Sequence, residues 1–112
     1  MNNAPHIAVY RTSLGRCFFV VYSGATSASV TSVLFTSIEA MQTVIDDIKC
    51  HMAEESRYVQ LRTRTGAHCF AFRSSGGHPL GISTQVASPE EAMAAQREFI
   101  RRTRGGVQIS WN

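Results

Sequence analysis

The segment RTSLGRCFFVVYS at residues 11–23 returns fifty-one residues later as RTRTGAHCFAFRS at residues 62–74. Arg11-Thr12 meets Arg62-Thr63, Gly15 meets Gly66, Phe19 meets Phe70, Ser23 meets Ser74 and, further on, Ser32 meets Ser83. With one residue inserted before the helix that follows, Glu39-Ala40-Met41 meets Glu91-Ala92-Met93 and Ile48 meets Ile100. Self-similarity at a fixed period marks a repeated supersecondary unit. The chain therefore reads as one domain, residues 1–112, made of two tandem copies at about residues 5–56 and 57–112.

Working outward, each copy shows the same elements. Residues 7–11 are β-branched and aromatic, Ser13-Leu14-Gly15 is a turn, and 17–22 is a strongly apolar strand. A small linker at 23–27 leads to a third strand at 29–35. Thr36 or Ser37 then caps a helix whose Met41, Val44, Ile45, Ile48 and Met52 recur at three- and four-residue spacing, an apolar stripe that must lie on something. The second copy repeats this with strands at 58–64, 68–73 and 80–86. Ser88-Pro89-Glu90-Glu91 is its helix start, with a cap, a proline at the first helical position and a glutamate at the third. Gly105-Gly106 stops that helix, and 107–111 forms a final strand. The expected fold is α+β: two β-β-β-α repeats sharing an antiparallel sheet, both helices on one face, and a short C-terminal strand.

This plan resembles the YegP-like family, small bacterial proteins of tandem or dimeric β3-α-β units. The turn glycines Gly15 and Gly66 and the cap-x-x-x-Ala spacing of Thr36 to Ala40 and Ser88 to Ala92 carry the resemblance. It implies one shared sheet with exchanged last strands, and it brings no activity or catalytic residue to transfer. The sequence departs from the family where Gly24-Ala25 and Gly76-Gly77 replace an Asn-Gly turn, and where Leu34 and Val86 replace a tyrosine.

Composition bounds the function. Hydrophobic residues make up 44% and charged residues 17%, which suits an ordinary globular core. No apolar run approaches the roughly 18 residues of a membrane span, and the N-terminus lacks a basic segment followed by an apolar one, so the expected location is the cytoplasm. Cys17, Cys50 and Cys69 form no CxxC pair and read as free thiols. Net charge is +3, with Lys49 the lone lysine among eleven basic residues.

No catalytic constellation emerges. His6, His51, His68 and His78 have no carboxylate in a strand-end loop to orient them, and Gly76-Gly77 precedes a strand, whereas phosphate loops precede a helix. Adjacent residues of a strand point to opposite faces, so His68 and Cys69 do not chelate one ion. No cofactor and no metal is expected, and the protein reads as non-enzymatic.

The open sheet face is the candidate binding surface. Alternation in 58–64 puts Tyr58, Gln60, Arg62 and Arg64 on it, joined by Phe18 and Tyr22 from the second strand. A second basic group, Arg97, Arg101, Arg102 and Arg104, marks a helix end that offsets its own dipole. The expected function is a small interaction module whose partner is another protein or a second copy. Single-stranded nucleic acid, with bases stacked on aromatic rings and arginines on phosphates, is the alternative.

Overall fold

The computed structural model describes residues 4–24 and 29–111. Strands β1 (His6–Arg11), β2 (Cys17–Tyr22) and β3 (Ser29–Ser32) precede helix α1 (Ile38–His51) and a 3-10 turn at Glu55–Arg57. Strands β4 (Tyr58–Arg62), β5 (His68–Arg73) and β6 (Pro79–Ser83), helix α2 (Pro89–Thr103) and β7 (Gln108–Trp111) complete the chain. The seven strands form one sheet in the order β4-β5-β6-β3-β2-β1-β7, with the two halves joined by the antiparallel β3–β6 pair. The fold is α+β, as expected. Residues 25–27 of the expected 23–27 linker lie outside the described residues.

The sheet is mixed, not wholly antiparallel. β7 leaves α2 of the second half and crosses to pair parallel with β1 of the first, His6 opposite Gln108 and Ile7 opposite Ile109. β7 runs antiparallel to β6, the strand that precedes α2, and because β6, β3, β2 and β1 alternate in direction, such a strand placed beyond β1 lies parallel to it.

Local chemistry sets the elements. In the β1–β2 turn the Thr12 amide donates to the Arg16 carbonyl at 2.8 Å, and in the β4–β5 turn Thr63 donates to Ala67 at 2.8 Å. Gly15 (φ 80°) and Gly66 (φ 87°) take the left-handed position that each turn requires. Ser37, not Thr36, caps α1, its Oγ accepting from the Ala40 amide at 3.1 Å; Ser88 accepts from Glu91 at 3.2 Å. Strands β3 and β6 end at Ser32 and Ser83, earlier than the alternation suggests. Beyond them the Val33 amide still donates to Leu80 and the Thr84 amide to Ser29, each at 3.1 Å, and single bridges join Cys17 with Phe35 and His68 with Val86.

Both helices lie on one face. Met41, Ile45 and Ile48 of α1 and Phe99 and Ile100 of α2 share a continuous core with Ile7, Val9, Phe19, Val21, Val30, Phe70 and Phe72 from the sheet. Each such side chain contributes roughly 1.5–3 kcal/mol on burial. The offset of 51 residues continues unbroken through the helices. Ser37 corresponds to Ser88, and the fully buried Met41 to the fully buried Ala92. The inserted residue is thereby corrected, because it would pair buried Met41 with Met93, which is 38% exposed.

Candidate functional site

Opposite the helices the sheet is uncovered by any described residue, and register determines what it displays. Val59 of β4 pairs with Ala71 of β5, Ala71 with Ile82 of β6, and Ile82 with Thr31 of β3. Thr31 pairs with Val20 of β2, and Val20 with Ala8 of β1. These six side chains form one row across six strands, with Thr31 as its single polar member. Leu61, opposite Cys69, extends the row along β4 and β5. Ile82 is 43% exposed and Leu61 37%, while Ala8, Val20, Cys69 and Ala71 are buried between larger neighbours. The row is thus a shallow apolar trough with isoleucine and leucine standing out of it.

The β1–β2 end of this face is aromatic. His6 stacks on Tyr22 with ring centroids 5.0 Å apart, and Tyr10 stacks on Phe18 at 5.2 Å. The Tyr10 and Tyr22 hydroxyls meet at 3.1 Å, linking the two stacked pairs. That hydrogen bond, followed by burial, raises the Tyr22 phenol above its usual range. Burial likewise pushes up the Cys69 thiol, which disfavours the thiolate a nucleophile needs.

The expected residues divide. Phe18 and Tyr22 do lie on the open face. Tyr58 and Gln60 do not, and this corrects the parity assigned to β4. The Tyr58 ring is buried under α2 among Phe70, Phe72 and Phe99, and its hydroxyl donates to the Met52 carbonyl at 2.6 Å. Gln60 donates to Gln96 of α2 at 2.6 Å. Arg62 alternates with them, away from the open face, and Arg64 lies exposed in the β4–β5 turn. The arginines and the stacked rings therefore do not share a surface.

The basic helix end is partly neutralised. Glu98 accepts two hydrogen bonds from Arg101, at 2.9 and 2.6 Å, and one from Arg102 at 2.8 Å. These bonds hold its carboxyl at a pKa of about 2. Arg97 and Arg104 remain exposed.

A polar cleft of about 630 Å³ at the C-terminal end of α1 escaped sequence reasoning. There the nearly buried Arg57 donates to the Arg73 carbonyl at 2.8 Å, pairs with Asp47 and lies 5.0 Å over the Phe72 ring. Its guanidinium is engaged on three sides and clamps α1 to the sheet. No local pattern around Arg57 announces this, since every partner comes from another element. His51 meets Asp47 through Nε2 and Glu54 through Nδ1, on opposite sides of the ring. Among the described residues no three His, Cys, Asp or Glu side chains come together to hold a metal, and no helix is long and apolar enough to cross a membrane.

No family model and no curated protein sequence matches the chain. Two solution NMR structures do resemble it. UPF0339 protein SO3888 from Shewanella oneidensis is 14% identical, with a TM-score of 0.77 over 96% of this chain and 92% of that one. The protein of unknown function yegP from E. coli is 19% identical, with a TM-score of 0.77 over 100% and 97%. At such identities the likeness speaks for architecture, and the chain has the YegP-like fold.

Proposed function

We propose that the chain is a small, non-enzymatic interaction module that docks an apolar surface of a partner protein on the uncovered face of its sheet. The observation that carries this reading is the row Val59, Ala71, Ile82, Thr31, Val20 and Ala8. An antiparallel sheet with one solvated face ordinarily alternates apolar-in with polar-out, and contiguous apolar surface on a small domain marks an interaction site. The partner's apolar side chains would settle between Ile82 and Leu61 over the small Ala71, while the Tyr10 and Tyr22 hydroxyls supply polar contacts at the margin.

The stacked pairs His6–Tyr22 and Tyr10–Phe18 favour a second reading, stacking of single-stranded bases. That mode also needs cations beside the rings, and Arg62 and Arg64 lie elsewhere, which puts a protein partner first.

Photo-crosslinking in cells tests the proposal, with a benzophenone amino acid at position 82 and, as control, at position 42 on the outer side of α1. A discrete adduct from position 82, absent from position 42 and lost with Phe18→Asp, is the expected result. Equal or diffuse labelling from both positions would overturn it. An amide-proton titration with mixed single-stranded oligonucleotides decides the second reading: shifts confined to β1 and β2 that fade with salt would promote nucleic acid.

A further inference from the structure

β4 and β7 are the two outer strands of the sheet, and they are not equivalent. At the offset of 51 residues, β1 of the first half corresponds to β4 of the second. The outer edge of β1 is covered by β7, whereas no described strand covers the outer edge of β4. We infer that the outer edge of β4 is a self-association site, at which a second copy of this chain adds its own β4 in antiparallel register across a two-fold axis at Gln60.

The backbone pattern supplies the valences. Thr63 donates its amide inward to Ala67, so along an antiparallel ladder Leu61 and Val59 also point their peptide groups at β5, while Tyr58, Gln60 and Arg62 point theirs outward. The Tyr58 amide is already held by the Glu55 carbonyl. The amides of Gln60 and Arg62 and the carbonyls of Tyr58 and Gln60 are left to bond a neighbour. With Gln60 opposite Gln60 of the other copy, Arg62 opposes Tyr58, and each of these groups meets its complement.

The side chains agree with that register. On the open face Val59 of one copy lies against Leu61 of the other, so a residue left 37% exposed in the monomer gains an apolar cross-strand partner. Beyond the ladder, Arg64 of each copy reaches the level of Ser56 in the other, beside the exposed Glu54 and Glu55. Opposite charges therefore meet at both ends, and the two arginine pairs stay apart. The strand carries neither proline nor lysine, two devices that commonly block edge pairing. The edge borders the apolar face and shares Val59 and Leu61 with it, but the backbone ladder does not depend on that face's partner.

Sedimentation analysis of the full chain from about 1 μM to 1 mM tests the inference. A reversible step from the 12.3 kDa monomer to twice that mass is expected. Arg62→Pro removes only an outward amide, so it should keep the monomer's amide spectrum and raise the dimer dissociation constant about tenfold or more. Arg64→Glu should also weaken the dimer, with Glu55→Arg restoring it in that background, while Ile82→Asp on the open face should leave it unchanged. A monomer at every concentration would overturn the inference. So would a dimer abolished by Ile82→Asp but indifferent to Arg62→Pro, a result that transfers self-association to the face and leaves the edge unoccupied.

Discussion

The Ser32 hydroxyl accepts the buried amide of Phe19 at 2.9 Å. It stands where a backbone carbonyl would in a continuing ladder, and it passes its own proton to the Val33 carbonyl at 2.8 Å. Ser83 does the same for Phe70, at 2.9 Å, and donates to Thr84 at 3.1 Å. Each serine lets its strand bow away from its hairpin partner without orphaning a buried donor, before the chain returns to that partner at the Cys17–Phe35 and His68–Val86 bridges.

The first prediction follows. Ser32→Ala and Ser83→Ala each leave a buried amide unpaired, which costs about 1–3 kcal/mol, and chemical denaturation should show similar losses for the two. Ser29→Ala, whose partner Thr84 is exposed, should change stability by less than about 0.5 kcal/mol. A serine pair no more sensitive than this control would show that water or a shifted backbone satisfies the amides.

These serines also mark what could be read from residues alone. Ser32 and Ser83 were visible as a repeated identity, and Ser88-Pro89-Glu90-Glu91 declared a helix start, because both signals are local. The parity of β4 was not visible, because Tyr58 and Gln60 alternate with Val59 and Leu61 and either set could face a core. What decides between them is tertiary: the Tyr58 hydroxyl finds the last turn of α1, and Gln60 finds Gln96. The parallel β7 was equally hidden, since its partner is set by sheet order and not by its own four residues. Met41 matches Met93 in residue type but Ala92 in burial, and only the packing of the helices on the sheet separates the two alignments.

A second prediction concerns Gly81, where β6 crosses the centre of the sheet. A methyl there would lie 2.7 Å from Val30 Cγ1 and 3.2 Å from the Thr31 carbonyl oxygen. Valine is stiff and the strand is pinned on both sides, so Gly81→Ala should cost about 1–3 kcal/mol by overpacking. Because the first clash is with a side chain, Val30→Ala should be less damaging in the Gly81→Ala background than alone. A double-mutant cycle in denaturant measures that coupling. Strict additivity would place the strain in the Thr31 backbone instead.

The last prediction uses Tyr58, an aromatic hydroxyl that joins the core to a helix end. Burial raises its phenol far above the ordinary value of 10.0, so the folded protein retains a proton that the unfolded chain releases. The linkage sign is then fixed: with more protons bound in the native state, stability is fully present below pH 10 and falls as pH rises above it. Tyr58→Phe should cost about 1 kcal/mol at neutral pH by leaving the Met52 carbonyl without its donor. It should also flatten the alkaline decline, so that mutant and parent converge as pH rises. Urea unfolding at neutral pH and at about pH 11 supplies the comparison. Every other ionisable group is common to both proteins, so the difference between the curves isolates Tyr58. Parallel curves would mean that the ring ionises freely and that the contact with Met52 does not hold the end of α1 to the sheet.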